Sequence, residues 1–246
     1  MPRLPYGYTR RRFFSAEYFP TGVKWLLISN TLVFLLTSMA PEAVQEHLNL
    51  LKLTPYTVVH SFTFWQLFTY LFLHAGPWHL IINMLVLWMF GIQLEREWGT
   101  RQFLKYYFIC GVGAGLCDVL MHAALGDWTT RTVGASGAIM GLLLAFGVLY
   151  PNQTILMDFL FPIKAKYFVM IYAAVELWAS IAARNSGVSN IAHLGGMAVG
   201  FVYLKSRLPL LRLPDVRGAY SRWKILRAKK KFQVYMRKHG NGPWVN

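Results

Sequence analysis

Three short segments of the chain carry residue types that could perform acyl transfer. The first is Gly134-Ala135-Ser136-Gly137, a serine set among small residues. The second is Ala192-His193-Leu194-Gly195-Gly196, with Gly200 following. The third is His79, four residues before Asn83. A serine hydroxyl becomes a competent nucleophile when an imidazole takes its proton, which requires the two within about 2.6–3.2 Å. The tetrahedral intermediate then needs donors aimed at its oxyanion. His193, Gly196 and Gly200 stand three and four apart, so they share one face of a helix. A histidine followed by a glycine groove lets a second backbone approach closely, and Ser136, Gly137 and Gly141 offer a matching groove. His79 and Asn83 also share a face, and both can donate. The Ser136 backbone N–H, at the start of its helix, is a further donor.

Each segment alone has a plainer reading. Small residues let membrane helices pack closely, and a serine among them usually makes a local hydrogen bond. His79 and Asn83 could form a polar clamp between helices. His74, His79 and His193 could hold a metal, but no matched carboxylate or thiolate completes the set. No metal, nucleotide or other cofactor is expected. The readings separate only when the elements that position these residues are considered.

The chain has 246 residues, 55% of them hydrophobic and 14% charged, with a mean hydropathy of +0.37. Soluble domains carry about 25% charged residues, so the long apolar runs point to an all-α polytopic membrane protein. Six spans are expected, at roughly 23–40, 77–94, 103–125, 136–150, 167–183 and 191–204. A six-helix core at 23–204 would lie between a basic N-terminal segment, 1–22, and a basic tail, 205–246. The fourth and sixth spans fall short of the ~20 residues needed to cross the hydrocarbon, which lets water reach in from one side. The aromatic stretch from Phe62 to Phe72 is expected at the interface rather than across the membrane. No cleavable signal peptide is expected before the first span. Cys110 and Cys117 share one apolar run and offer no disulfide framework.

Charge orients the spans. The net charge of +15 raises nucleic acid as a partner, but the basic residues gather at the ends and in alternate loops, so none is expected. Five Lys or Arg precede or open the first span, three lie between the second and third, two between the fourth and fifth, and twelve follow the sixth. So 22 of the 25 share one side, which should be cytoplasmic along with both termini. The run Lys229-Lys230-Lys231 either fixes topology or meets anionic lipid headgroups. The second, fourth and sixth spans then all begin at the outer face, and His79, Ser136 and His193 all fall at those beginnings. A common outer depth is what a catalytic constellation requires. Ionisable groups within spans are costly and usually functional.

In these residues the chain resembles the rhomboid family of intramembrane proteases. The matching elements are His79-x-x-x-Asn83, Gly134-Ala135-Ser136-Gly137 and Ala192-His193-x-x-Gly196-x-x-x-Gly200, in that order, over roughly residues 20–205. The resemblance implies a Ser136–His193 dyad. It implies an oxyanion and substrate-binding set of His79, Asn83, Gly134, Ala135 and the Ser136 amide, with His74 structural. Its substrates would be membrane-spanning proteins, cut near the outer face. The compact core is expected in a bacterial cell membrane, its site opening away from the cytoplasm. Three departures are visible: Trp65-Gln66 where the family often has Trp-Arg, Glu95-Arg96-Glu97 where it has Glu-x-Arg, and Met140 where a tyrosine can pack on the catalytic histidine.

Two competing readings remain at this point. A non-catalytic rhomboid-like protein would bind transmembrane clients without cutting them, but such proteins typically lack the serine or the histidine. A transporter would spread polar groups over several depths, and only Asp118 and Glu176 suggest that. Asp118 reads either as a third member of a catalytic triad or as a polar contact to a neighbouring helix. Glu176 reads as deeper and structural. Oligomeric state is not legible.

Overall fold

The computed structural model describes residues 19–157, 161–182 and 190–207, with Lys224 and Arg227. The N-terminal arginines and the Lys229-Lys230-Lys231 run lie outside the described residues. The chain divides into a unit Met1–Tyr203 and a second, Leu204–Asn246. Every residue that builds the site belongs to the first.

The described elements are helices and one short hairpin. Helix α1 spans Thr21–Ser38. A connecting region follows, with α2 Glu42–Leu48, α3 Pro55–His60 and α4 Gln66–Thr69, interrupted by single turns of 3₁₀ helix. Then come α5 Pro77–Trp98, α6 Thr100–Ala124, α7 Ser136–Leu149, the hairpin β1 Thr154–Met157 and β2 Phe161–Lys164, α8 Ala165–Ala182 and α9 Asn190–Arg207. The hairpin is antiparallel, with Thr154 opposite Lys164 and Met157 opposite Phe161. It occupies the connection after the fourth apolar run, for which no strand was expected.

Among the described helices, α1, α5 and α6 are long and apolar enough to cross a membrane; α7, at 14 residues, is apolar and shorter. Ten of the 14 residues of α7 are buried, so it is the central helix, sheltered by its neighbours from any lipid. That shelter is what permits a short helix in a bundle. Outward faces are apolar instead: Leu32 and Leu36 of α1, and Val175 and Trp178 of α8, are exposed. Water would oppose such surfaces, whereas lipid accepts them. Between α1 and α5, Phe62, Phe64, Trp65 and Phe68 are exposed while Tyr70 and Leu71 are buried. This segment forms short turns rather than a span.

Two polar arrangements hold the frame. Helix α1 begins after Pro20 with no side-chain cap of its own. The buried Glu95 carboxylate of α5 supplies one, accepting Gly22 N–H and Val23 N–H, both at 2.7 Å. A carboxylate at a helix N-terminus satisfies orphan donors and complements the positive end of the helix dipole. Thr100 Oγ1 also donates to Glu95, at 2.6 Å. Glu95 thus ties α1, α5 and α6 together, and α5 runs four residues beyond its expected end to carry it. In the connecting region, buried Gln66 accepts Thr54 N–H and Thr57 Oγ1–H through Oε1 and donates through Nε2 to Leu50 O. The glutamine that departs from the family pattern is therefore the anchor of that loop.

Candidate active site

Ser136 opens α7 and His193 lies in the first turn of α9. Ser136 Oγ and His193 Nε2 are 2.7 Å apart, joined across 57 positions of sequence. Backbone contact between α7 and α9 makes this distance possible. A Cβ on Gly196 would run into the carbonyl of Gly137, and one on Gly137 would come within 3.3 Å of Ala192 O. No larger residue at 196 leaves the two backbones where they are.

The loop before Ser136 is held on its inner side. Thr132 exchanges two backbone hydrogen bonds with Leu53, at 2.8 and 3.1 Å, and Gly134 N–H donates to Tyr70 O at 2.9 Å. The Thr132 hydroxyl donates to the buried Asp118 carboxylate at 2.8 Å. His122 Nδ1 lies 3.2 Å from the other Asp118 oxygen. Asp118 is thus a support for the loop that delivers Ser136, bonded to Thr132 rather than set behind His193. Further out, Asp127 accepts from Thr130 Oγ1 at 2.5 Å and from two backbone N–H groups. These bonds, the Thr130 hydroxyl first, hold its carboxyl below the usual range.

His79 reaches the site from α5. Ala75 N–H donates to His79 Nδ1 at 3.3 Å, so Nδ1 is the acceptor and the neutral ring carries its proton on Nε2. That edge of the ring faces Gly134. A Cβ on Gly134 would lie 2.7 Å from His79 Cε1 and 2.9 Å from Nε2, and Gly134 has φ +124°. Both the backbone conformation and the contact require glycine here. Ala135 is fully buried beneath the same turn. Asn83 is buried and donates one amide hydrogen to His79 O at 2.8 Å; a primary amide has a second. The Ser136 N–H opens α7, where a helix supplies no acceptor. His74 stacks edge-on against His79, with ring centroids 5.2 Å apart. Burial, then the neighbouring His79, lowers the pKa of His74 to about 4.

One contact was not expected from the sequence. Glu176 of α8 places Oε2 3.0 Å from His193 Nδ1, the ring nitrogen turned away from Ser136. Glu176 had read as deeper than the site. Met140 is buried in an apolar cluster with Phe90, Phe146 and Met197. Among the described residues, no three His, Cys, Asp or Glu side chains form a group that could hold a metal ion.

The architecture and the pair together define a helical integral membrane protein with a serine–histidine couple near the starts of two helices. The comparisons with known proteins extend this. The rhomboid domain model matches residues 61–209. RHOMBOID-like protein 1 of Arabidopsis thaliana is 38% identical over 146 residues, covering 59% of this chain and 35% of that protein. Rhomboid protease AarA of Providencia stuartii is 33% identical over 149 residues, 55% of this chain and 53% of that one. Putative rhomboid protease YdcA of Bacillus subtilis is 33% identical over 145 residues, 56% and 64% respectively. The chain belongs to the rhomboid family, which includes intramembrane serine proteases. The matches span between about a third and two thirds of these relatives' lengths.

Proposed function

We propose that the chain is an intramembrane serine endopeptidase that cuts transmembrane segments of other membrane proteins near the extracytoplasmic face. The observation that carries this reading is the 2.7 Å approach of Ser136 Oγ to His193 Nε2. Each residue lies near the start of its helix. In this reading His193 Nε2 takes the Ser136 proton as Oγ attacks the scissile carbonyl carbon. The carbonyl oxygen becomes an oxyanion held by His79 Nε2–H, the second Asn83 amide hydrogen and the Ser136 N–H. Gly134 and Ala135 form the wall beside it. The imidazolium returns the proton to the leaving amine as the C–N bond breaks. Water then releases the acyl group by the same route.

The apolar runs supply six spans, and the placement of 22 of 25 Lys and Arg on one side makes that side, with both termini, cytoplasmic. The site then opens away from the cytoplasm, where water can reach it beside the short α7. A substrate segment must leave its own helix to present a carbonyl there. The test is incubation of the purified full chain, in detergent or proteoliposomes, with a model transmembrane substrate. Cleavage that Ser136→Ala abolishes supports the protease. Equal cleavage by that variant removes the assignment.

A further inference from the structure

We propose that Glu176 is the positioning residue of the catalytic histidine, making a Ser136–His193–Glu176 array in which α8 orients the base. The inference rests on the protease reading above and adds a member that the three sequence motifs do not contain. Its first support is geometric. The 3.0 Å contact joins Glu176 Oε2 to His193 Nδ1, on the side of the ring away from Ser136. Both atoms are buried, and neither has a hydrogen-bond partner among the described residues. The two atoms stand at ion-pair distance without forming an aligned hydrogen bond.

The second support is the setting of Glu176. Val175 and Leu177, its chain neighbours, are 56% and 54% exposed, and Trp178 is 73% exposed, while Glu176 is 8% exposed. On an otherwise outward, apolar stretch of α8, the single acid turns inward. A buried carboxylate is costly unless a charge or donor meets it. The group that meets this one is the imidazole bonded to Ser136. The two other buried acids among the described residues have different partners: Asp118 is bonded to Thr132 and His122, and Glu95 caps α1.

The third support is the chemistry the base must perform. Accepting the Ser136 proton requires a lone pair on Nε2, so the neutral ring must keep its proton on Nδ1. A carboxylate beside Nδ1 selects that tautomer. When Nε2 takes the serine proton, the ring becomes a cation with Nδ1–H still on it, facing the anion. Glu176 gains no proton. Nε2 then gives its proton to the leaving amine, and the ring returns to its starting form. In soluble triads a carboxylate hydrogen-bonded to this ring nitrogen contributes up to about 10⁴-fold in kcat. Because Glu176 stands on a separate helix, the orientation of the base depends on the seating of α8 against α9.

The experiment combines kinetics with the ring tautomer. Wild type, Glu176→Ala, Glu176→Gln and Glu176→Asp are compared for kcat and KM on a transmembrane substrate, and for the ¹⁵N shifts of His193. The expected result is a loss in kcat of at least about tenfold for Glu176→Ala, with KM near that of wild type. Partial recovery is expected in Glu176→Asp. The Nδ1–H tautomer should be present in wild type and depleted in Glu176→Ala. Wild-type kcat in Glu176→Ala or Glu176→Gln overturns the proposal. Should the variants fail to fold, the wild-type spectrum decides: an Nε2–H tautomer overturns it as well. Failure of the wild type to cleave any transmembrane substrate sinks the protease reading instead, and the tautomer still tests the Glu176–His193 pair.

Discussion

Gly196 of α9 rests directly on the carbonyl of Gly137 in α7, with no space for a side-chain carbon between them. This contact sets the distance between Ser136 and His193, because each of the two is a neighbour, in sequence or by one helical turn, of a glycine in the contact.

Substituting Gly196→Ala therefore pushes α9 away from α7. Overpacking of this kind costs about 1–3 kcal/mol, and the displacement lengthens the hydrogen bond between Ser136 and His193. The expected outcome is a lower melting temperature in detergent together with a fall in kcat larger than the stability loss explains. Thermal unfolding and cleavage kinetics on the same preparation check this. A variant with wild-type kcat would mean that the site does not depend on the glycine contact.

His79→Ala should lower kcat by about 10²–10³, the usual loss for an oxyanion donor, with KM little changed. Its Nε2–H faces the turn at Gly134, where a developing oxyanion would lie, and a donor used mainly in the transition state affects kcat. Steady-state kinetics with a transmembrane substrate decide it. A rise in KM at constant kcat would assign His79 to ground-state binding.

Removal of Glu95 should loosen the fold far from the site. Glu95→Ala leaves Gly22 N–H and Val23 N–H without their acceptor, and a buried unsatisfied donor costs about 1–3 kcal/mol. Glu95→Gln keeps one acceptor oxygen and should lose less. Melting temperatures in mild detergent rank the three proteins, with Glu95→Ala lowest. Equal stability in all three would remove Glu95 as the cap of α1.

His74 gives the fold a pH dependence. Burial lowers its pKa to about 4, against an ordinary value of 6.5. Between those values the unfolded chain binds a proton that the folded one excludes. Stability therefore rises with pH across this window and falls as the solution is acidified through it. His74→Phe should flatten the slope of melting temperature against pH between about 6.5 and about 4. An unchanged slope would show that other groups carry it.

Part of the site was legible from spacing. His79, Ser136 and His193 were each expected near the start of a helix, and each lies in the first turn of α5, α7 or α9. The glycine spacing then indicated which helices touch. Glu176 was not legible, because residue count along a helix says nothing of its tilt or rotation. Packing against neighbours determines both, and here it turns a mid-helix acid onto the histidine. Asp118 escaped for the same reason: its partner Thr132 sits in the loop before α7, not on a neighbouring helix. Gln66 and the Glu95-Arg96-Glu97 run read as departures in connecting loops, with no partner assigned to Gln66 or Glu95. Both are buried, and both bond to backbone groups distant in sequence. Such non-local satisfaction leaves no periodic trace. The β1–β2 hairpin was also missed, being two four-residue strands between two apolar helices.

The central claim is that Ser136 is a nucleophile activated by His193. Reaction of the purified chain with a fluorophosphonate probe tests it most directly, since covalent labelling reports an activated serine without needing to know the substrate. Labelling of wild type at Ser136, lost in both Ser136→Ala and His193→Ala, is the predicted result. Labelling that persists in His193→Ala, or a folded wild type that does not label, would contradict it.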